Sequence, residues 1–112
     1  MTPWPGVEIR LLVALERVGS TGSFSRAAVQ LGYTQSAVSG QISALERAVG
    51  ARLVDRVRGA RSVCLTPEGA VLYRHAVDIT SRLWTAHAEL ESLARSVRKS
   101  RTGPRVIADK PR

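Results

Sequence analysis

Cysteine is almost absent from this sequence, and its scarcity already excludes several kinds of site. The 112 residues include one cysteine, Cys64, so the chain can form neither an internal disulfide nor a metal site with several cysteine ligands. Nothing in the sequence requires an oxidising compartment, and a reducing cytoplasm is the expected location. A lone thiol could serve as a redox switch, but such a residue is more often inert.

Long apolar runs are also missing. Residues 7–18 form an apolar stretch, but four charged side chains interrupt it: Glu8, Arg10, Glu16 and Arg17. The six residues before it contain no basic segment followed by an apolar core. The sequence therefore predicts neither an export signal nor a membrane span.

The marks of catalysis are equally scarce. A chain of 112 residues holds one domain with a modest core, which excludes a multidomain enzyme. No glycine-rich phosphate loop or paired carboxylate site is found. His75 and His87 lie more than three turns apart on one predicted helix, so they cannot share a metal ion within a chain. We expect no enzymatic activity, no cofactor and no metal.

Acidic residues are few. Nine Asp and Glu stand against seventeen Lys and Arg, which gives a net charge of +8. This balance indicates a polyanionic partner, nucleic acid first and acidic membrane second. Only two of the basic residues are lysine, and the arginine excess is explained equally well by forked contacts with phosphates or guanine edges and by genome composition.

The positive charge is concentrated in the second half of the chain. Residues 1–51 have a net charge of +1, and residues 52–112 carry +7. One basic cluster lies at residues 52–61 and a second at residues 95–112. The end of the second cluster has little apolar content, so residues 100–112 are expected to form a disordered basic tail.

Three helices are predicted in the first half. Apolar residues recur at helical spacing in residues 7–18, and a second helix follows the capping residue Ser23 and ends at Gly32. A third helix is predicted over residues 35–49, capped by Thr34 and ended by Gly50. Its inner stripe consists of Val38, Ile42, Leu45 and Val49.

The opposite face of the third helix is polar and almost uncharged. It carries Ser36, Ser39, Gly40, Ser43 and Arg47, with Thr34 and Gln35 at its leading end. Two helices joined by a short turn, the second with small hydrogen-bonding side chains, are typical of a helix-turn-helix that reads base edges in the major groove. An ordinary solvated helix face would have the same composition.

A β-hairpin is predicted next, over residues 52–57 and 61–65. Such a hairpin after a helix-turn-helix is a wing, and its arginines would lie near a minor groove and its phosphates. The alternative is a solvated, charged turn.

A long helix follows the hairpin. Thr66, Pro67 and Glu68 provide a side-chain cap, a first-turn proline and an acid near the positive helix end. Apolar residues then keep heptad spacing through more than three repeats, which favours pairing with a second copy of the chain. These residues are Leu72, Ala76, Ile79, Leu83, Ala86, Leu90, Leu93 and Val97. Tyr73, Val77 and Trp84 form another apolar set, and we expect both aromatics to pack in the core.

Together these motifs resemble the N-terminal DNA-binding domain and linker helix of LysR-type transcriptional regulators. The resemblance covers about residues 7–98. Its motifs are Gly22 to Phe24, Arg26 to Ala28, Leu31, the segment from Gln35 to Gly50, Leu53, Arg56, and LTPEG at residues 65–69.

The resemblance implies a mainly α fold with three domains or segments. Residues 1–66 would form a winged helix-turn-helix of three helices and a two-stranded wing. Residues 67–99 would form a linker helix that pairs antiparallel in a dimer coiled coil, and residues 100–112 a tail. The implied location is the bacterial cytoplasm, at the nucleoid.

The resemblance also implies roles for individual residues. Gln35, Ser36 and Ser39 correspond to base-reading positions, with Thr34 at the helix start. Ser23 and Arg26 correspond to positions near the DNA backbone. Arg56 corresponds to the arginine at the base of the wing, and Arg58 or Arg61 would supply its tip.

The sequence departs from the family pattern at several points. Gly40 stands where family members usually have Arg, Lys or His, and Val54 replaces a phenylalanine or leucine. The wing is about two residues longer than usual. The effector domain that usually follows is not in this sequence, so we expect no site for a small-molecule effector in this chain. The chain would be either an excised DNA-binding fragment or a naturally short protein.

The expected function is sequence-specific regulation of transcription by a homodimer that binds a two-fold site on double-stranded DNA. Two alternatives remain open. The chain could pair with full-length relatives through the long helix and disable them, or it could bind nucleic acid without sequence preference through its basic tail.

Overall fold

The computed structural model describes residues 3–56 and 62–99. In these residues it contains four helices and one antiparallel hairpin. Helix α1 spans Ile9–Thr21, α2 spans Phe24–Leu31, α3 spans Gln35–Val49 and α4 spans Pro67–Lys99, while β1 is Val54–Arg56 and β2 is Val63–Leu65. The predicted order of three helices, a two-stranded wing and a long fourth helix is confirmed.

Short polar residues begin the two helices of the helix-turn-helix. The Ser23 hydroxyl accepts a hydrogen bond from the Arg26 N–H (3.1 Å), and the Thr34 hydroxyl accepts one from the Ala37 N–H (3.0 Å). The turn between them contains Gly32, whose φ of 75° lies in the left-handed region that disfavours other residues. These local signals fix where α2 ends and α3 begins.

A first compact unit extends to Thr80 and contains the hydrophobic core. Apolar faces of the first three helices meet the start of α4 and both strands there. The largest fully buried side chains are Leu15, Val18, Val38, Leu45 and Leu53. The predicted inner stripe of α3 is buried at Val38, Ile42 and Leu45, and Val49 is partly buried against the core.

The hairpin is anchored to the helices by polar contacts. Its register pairs Val54 with Leu65 and Arg56 with Val63. The Glu46 carboxylate of α3 accepts hydrogen bonds from the backbone N–H groups of Leu53 (2.8 Å) and Val54 (3.3 Å). Because a carboxylate accepts two backbone donors here, α3 holds the chain where it enters β1.

The start of α4 is fixed to the same segment. The Thr66 hydroxyl donates to the Arg52 carbonyl (2.6 Å) and accepts from the Gly69 N–H (2.9 Å). The predicted threonine cap is therefore present, and it also joins α4 to the residues that precede β1. Gly69 packs directly against the backbone of Leu53.

The first turns of α4 belong to the core of the first unit. Leu72 is 9% exposed and Ala76 is fully buried in this core. Tyr73 is partly buried and lies against Gly19 of α1. Heptad spacing places Leu72 and Ala76 between two chains, but a single chain already buries both, so the exposed heptad residues begin at Ile79.

The second unit begins at Ser81, and its described part is helical. Every residue from 81 to 99 is exposed. The expected core position of Trp84 is wrong, since its side chain is 72% exposed and packs edge-on against His87. None of the helices in the described residues is long and apolar enough to span a membrane.

Candidate nucleic-acid interface

The outer face of α3 presents polar side chains to solvent. Gln35, Ser36, Gly40 and Ser43 are exposed, and Ser39 is half-buried. The opposite face is buried in the core. Because the core fixes the rotation of α3 about its axis, these small side chains project outward together.

Thr34 has a structural role at the start of this face. Its hydroxyl oxygen is engaged in capping α3 through the Ala37 N–H. The residue is exposed, and because its oxygen accepts in the cap, the hydroxyl proton can donate to another group.

The N-terminus of α2 has the character of an anion site. Its first turn contains no acidic residue, and the helix dipole places partial positive charge there. Arg26 is exposed, and its guanidinium has no ion-pair partner among the described residues. Ser25 is not among the predicted site residues, but its hydroxyl lies 3.0 Å from that of Ser23. The two serines on either side of Phe24 are the sequence feature that could have indicated it.

Arg56 lies where α2, α3 and β1 meet. The central carbon of its guanidinium is 4.6 Å from the centroid of the Phe24 ring. One guanidinium nitrogen, Nη2, donates to the Ser39 hydroxyl at 3.4 Å. Phe24 is itself 5% exposed and part of the core. The sequence predicts Arg56 in the interface, but no local pattern indicates that Phe24 supports it.

Other arginines are engaged elsewhere. Arg52 donates to the Val54 carbonyl and pairs with Asp55 (3.2 Å). Arg17 pairs with Glu16, and this hydrogen bond raises the pKa of the guanidinium above its usual value. Arg26 and Arg56 are therefore the cationic groups that the described residues of α2 and β1 offer to a polyanion.

Two further site residues were predicted for the tip of the wing. Arg58 and Arg61 fall outside the described residues. Cys64 is exposed on β2, opposite Asp55.

Gly40 leaves a gap in the outer face of α3. A Cβ atom added there would meet no other atom within 4 Å. The departure from the expected arginine, lysine or histidine therefore has no packing reason within the described chain, and the helix surface is lowest at this point.

Comparison with known proteins gives a consistent result. Residues 9–70 match the family model described as bacterial regulatory helix-turn-helix protein, lysR family. The HTH-type transcriptional regulator CrgA of Neisseria meningitidis serogroup B is 42% identical over 83 residues, which are 74% of this chain and 26% of that protein. The HTH-type transcriptional activator BauR of Pseudomonas aeruginosa is 35% identical over 81% of this chain and 29% of that protein.

Solved structures with the same fold include two DNA complexes. The BenM DNA-binding domain bound to catB site 1 DNA is 33% identical, with a TM-score of 0.70 over 79% of this chain and 96% of that chain. The CbnR DNA-binding domain bound to DNA is 26% identical, with a TM-score of 0.67 over 79% of this chain and 99% of that one. The chain thus spans nearly all of these isolated domains but under a third of CrgA and BauR.

Proposed function

Because the chain belongs to the LysR family of bacterial helix-turn-helix regulatory proteins, we propose that it is a sequence-specific regulator that binds double-stranded DNA through α3. The observation that carries this proposal is the outer face of α3, where small hydrogen-bonding side chains project from a helix whose other face is buried. Such a surface lets a helix axis approach base edges closely in the major groove. A regulatory role in the bacterial cytoplasm follows, and no catalytic role is implied.

The proposed contacts divide into two kinds. Gln35, Ser36 and Ser39 would contact base edges, and Gly40 and Ser43 would allow close approach. Ser23 and Arg26 would position the helix on phosphates, because the start of α2 combines a helix dipole with a guanidinium that has no ion-pair partner in the described part of the chain. Arg56 would contact the DNA at the base of the wing.

Replacing Gln35 with alanine should relax base preference. A glutamine that bonds a base edge well contributes about 1–3 kcal/mol of discrimination. The preferred duplex can be obtained by in vitro selection with the purified chain, and the affinities of the variant for preferred and scrambled duplexes measured by fluorescence anisotropy at several salt concentrations.

The matched control is Gln30→Ala. Gln30 accepts a hydrogen bond from Arg17 and lies on α2, so this variant should retain the wild-type preference. Equal preference in the wild type and Gln35→Ala would remove Gln35 from the base contacts. The wild type itself is also informative. If it bound preferred and scrambled duplexes equally, and this binding disappeared at high salt, the proposed function would be contradicted and non-specific binding favoured.

We further propose that the active form is a homodimer paired through α4. Several large apolar side chains of this helix are between 38% and 67% exposed: Ile79, Leu83, Leu90, Leu93 and Val97. They keep heptad spacing, and a single chain leaves them in water. A two-fold dimer would present two copies of α3 to a two-fold DNA site.

Leu83→Asp should convert the dimer to a monomer, because it places a charge where two apolar surfaces would meet. Its affinity for a two-fold site should fall, whereas its affinity for a half-site should change little. Sedimentation equilibrium beside anisotropy measures both effects. Ser81→Asp is the control, since Ser81 is exposed and lies outside the heptad positions. A Leu83→Asp chain that remains dimeric would show that the pairing surface lies elsewhere.

A further inference from the structure

The contact among Phe24, Arg56 and Ser39 determines how one base is recognised. We infer that Arg56 is a positioning residue that makes the Ser39 hydroxyl a hydrogen-bond donor toward the DNA, and that Ser39 thereby selects the acceptor edge of a guanine. This inference rests on the proposed function and deepens it by naming the chemistry that one position of α3 requires.

The first step is that Arg56 is held in place before DNA binds. Its guanidinium lies over the ring of Phe24, 4.6 Å from the centroid. A planar guanidinium stacks favourably on an aromatic face. Phe24 is 5% exposed, so the platform cannot move without disturbing the core.

Ser39 is the acceptor in its hydrogen bond with Arg56. A guanidinium donates and cannot accept, so in the 3.4 Å contact between Arg56 Nη2 and Ser39 Oγ the serine oxygen is the acceptor. The Ser39 proton is then free to point elsewhere. Serine in a helix often donates back to a carbonyl one turn earlier, but the described residues include no such bond for Ser39. Ser39 lies on the outer face of α3 and can donate outward.

The Ser39 hydroxyl, acting as a donor, would discriminate among base edges. In the major groove guanine presents two acceptors, N7 and O6, whereas cytosine presents an amino donor. An O–H donor beside a cationic guanidinium favours the edge with the most acceptor atoms. An amino group would meet a serine oxygen already engaged by Arg56 and crowded by positive charge. Ser39 should therefore face guanine, with its hydroxyl donating to the N7 atom.

The test uses duplexes selected in vitro with the full chain. Ser39→Ala and Arg56→Ala should lose preference at the same base pair. Replacing the guanine there by 7-deazaguanine should weaken the wild type by about five- to tenfold, as expected for one lost hydrogen bond in a desolvated interface. The same replacement should leave Ser39→Ala nearly unaffected.

Conservative variants separate positioning from charge. Arg56→Lys retains the positive charge but not the planar fork, so it should keep the wild-type salt dependence and still lose the base preference. Phe24→Leu should weaken the preference in the wild type and add nothing in an Arg56→Ala background. If Phe24→Leu does not fold, Arg56→Lys carries the test, since Arg56 is exposed.

Two results would overturn the inference. If Arg56→Ala lowered affinity equally for all sequences and retained the Ser39-dependent preference, Arg56 would be a phosphate contact only. If 7-deazaguanine bound the wild type as well as guanine did, Ser39 would not donate to N7. A wild-type chain without any sequence preference would instead contradict the proposed function, and this outcome appears before any variant is made.

Discussion

Replacing Gly69 with alanine should destabilise the domain by more than about 3 kcal/mol, toward the upper end of single substitutions. A Cβ atom at this position would overlap the Leu53 carbonyl oxygen and lie 2.8 Å from its carbon. The neighbour is backbone, and it is held by its hydrogen bonds to Glu46 and Thr66. Urea denaturation followed by circular dichroism measures the loss.

Gly40→Ala is the matched control, because it makes the same chemical change inside another helix. Its added methyl group would enter open space, so the higher helix propensity of alanine should stabilise the domain by about 1 kcal/mol. The two variants should therefore shift the unfolding midpoint in opposite directions. Equal midpoints for Gly69→Ala and the wild type would show that α4 can move away from Leu53.

Leu45→Ala should have the next largest effect. Leu45 is fully buried on the inner face of α3, and truncation of a buried leucine costs about 2–5 kcal/mol. Thermal unfolding should show a midpoint lower by about 8 °C or more, given about 4–8 °C per kcal/mol for a domain of this size. Leu45→Met conserves volume and should cost less than about 1.5 kcal/mol.

The same variant separates stability from recognition. Leu45 and the outer-face serines lie on opposite sides of α3, so Leu45→Ala leaves the outer-face groups unchanged. At temperatures where it is folded, the variant should retain the wild-type base preference. A changed preference in the folded variant would mean that the core sets the position of α3 more finely than its backbone indicates.

The helix-turn-helix was predictable because its signals are local. The bounds of α3 follow from Thr34, which caps the first turn, and from Gly50, which ends the helix with a φ of 77°. The start of α4 at Pro67 follows in the same way from Thr66. Each of these capping and terminating residues acts within four residues of its partner, so it can be recognised from the sequence without knowledge of the tertiary structure.

The predictions that failed, and the contact that was not predicted, depend on how residues far apart in the sequence pack. Heptad spacing describes a helix face but not what covers it, and Leu72 and Ala76 turn out to be covered by the domain itself. Trp84 was expected in the core from its spacing, yet the structure leaves it exposed. The Arg56–Phe24 stack joins residues 32 positions apart, a pairing that no local pattern encodes.

Three contacts at Leu53 connect α3 with the start of α4. The Glu46 carboxylate of α3 accepts a hydrogen bond from the Leu53 N–H. The Leu53 carbonyl accepts one from the N–H of Thr66, the residue before α4, and packs against Gly69 in the first turn of α4. Helix α3 and the first turn of α4 are thus both joined to the backbone of a single residue, Leu53. A shift of that first turn would therefore pull on α3 through Leu53, so we expect these two segments to move as one body.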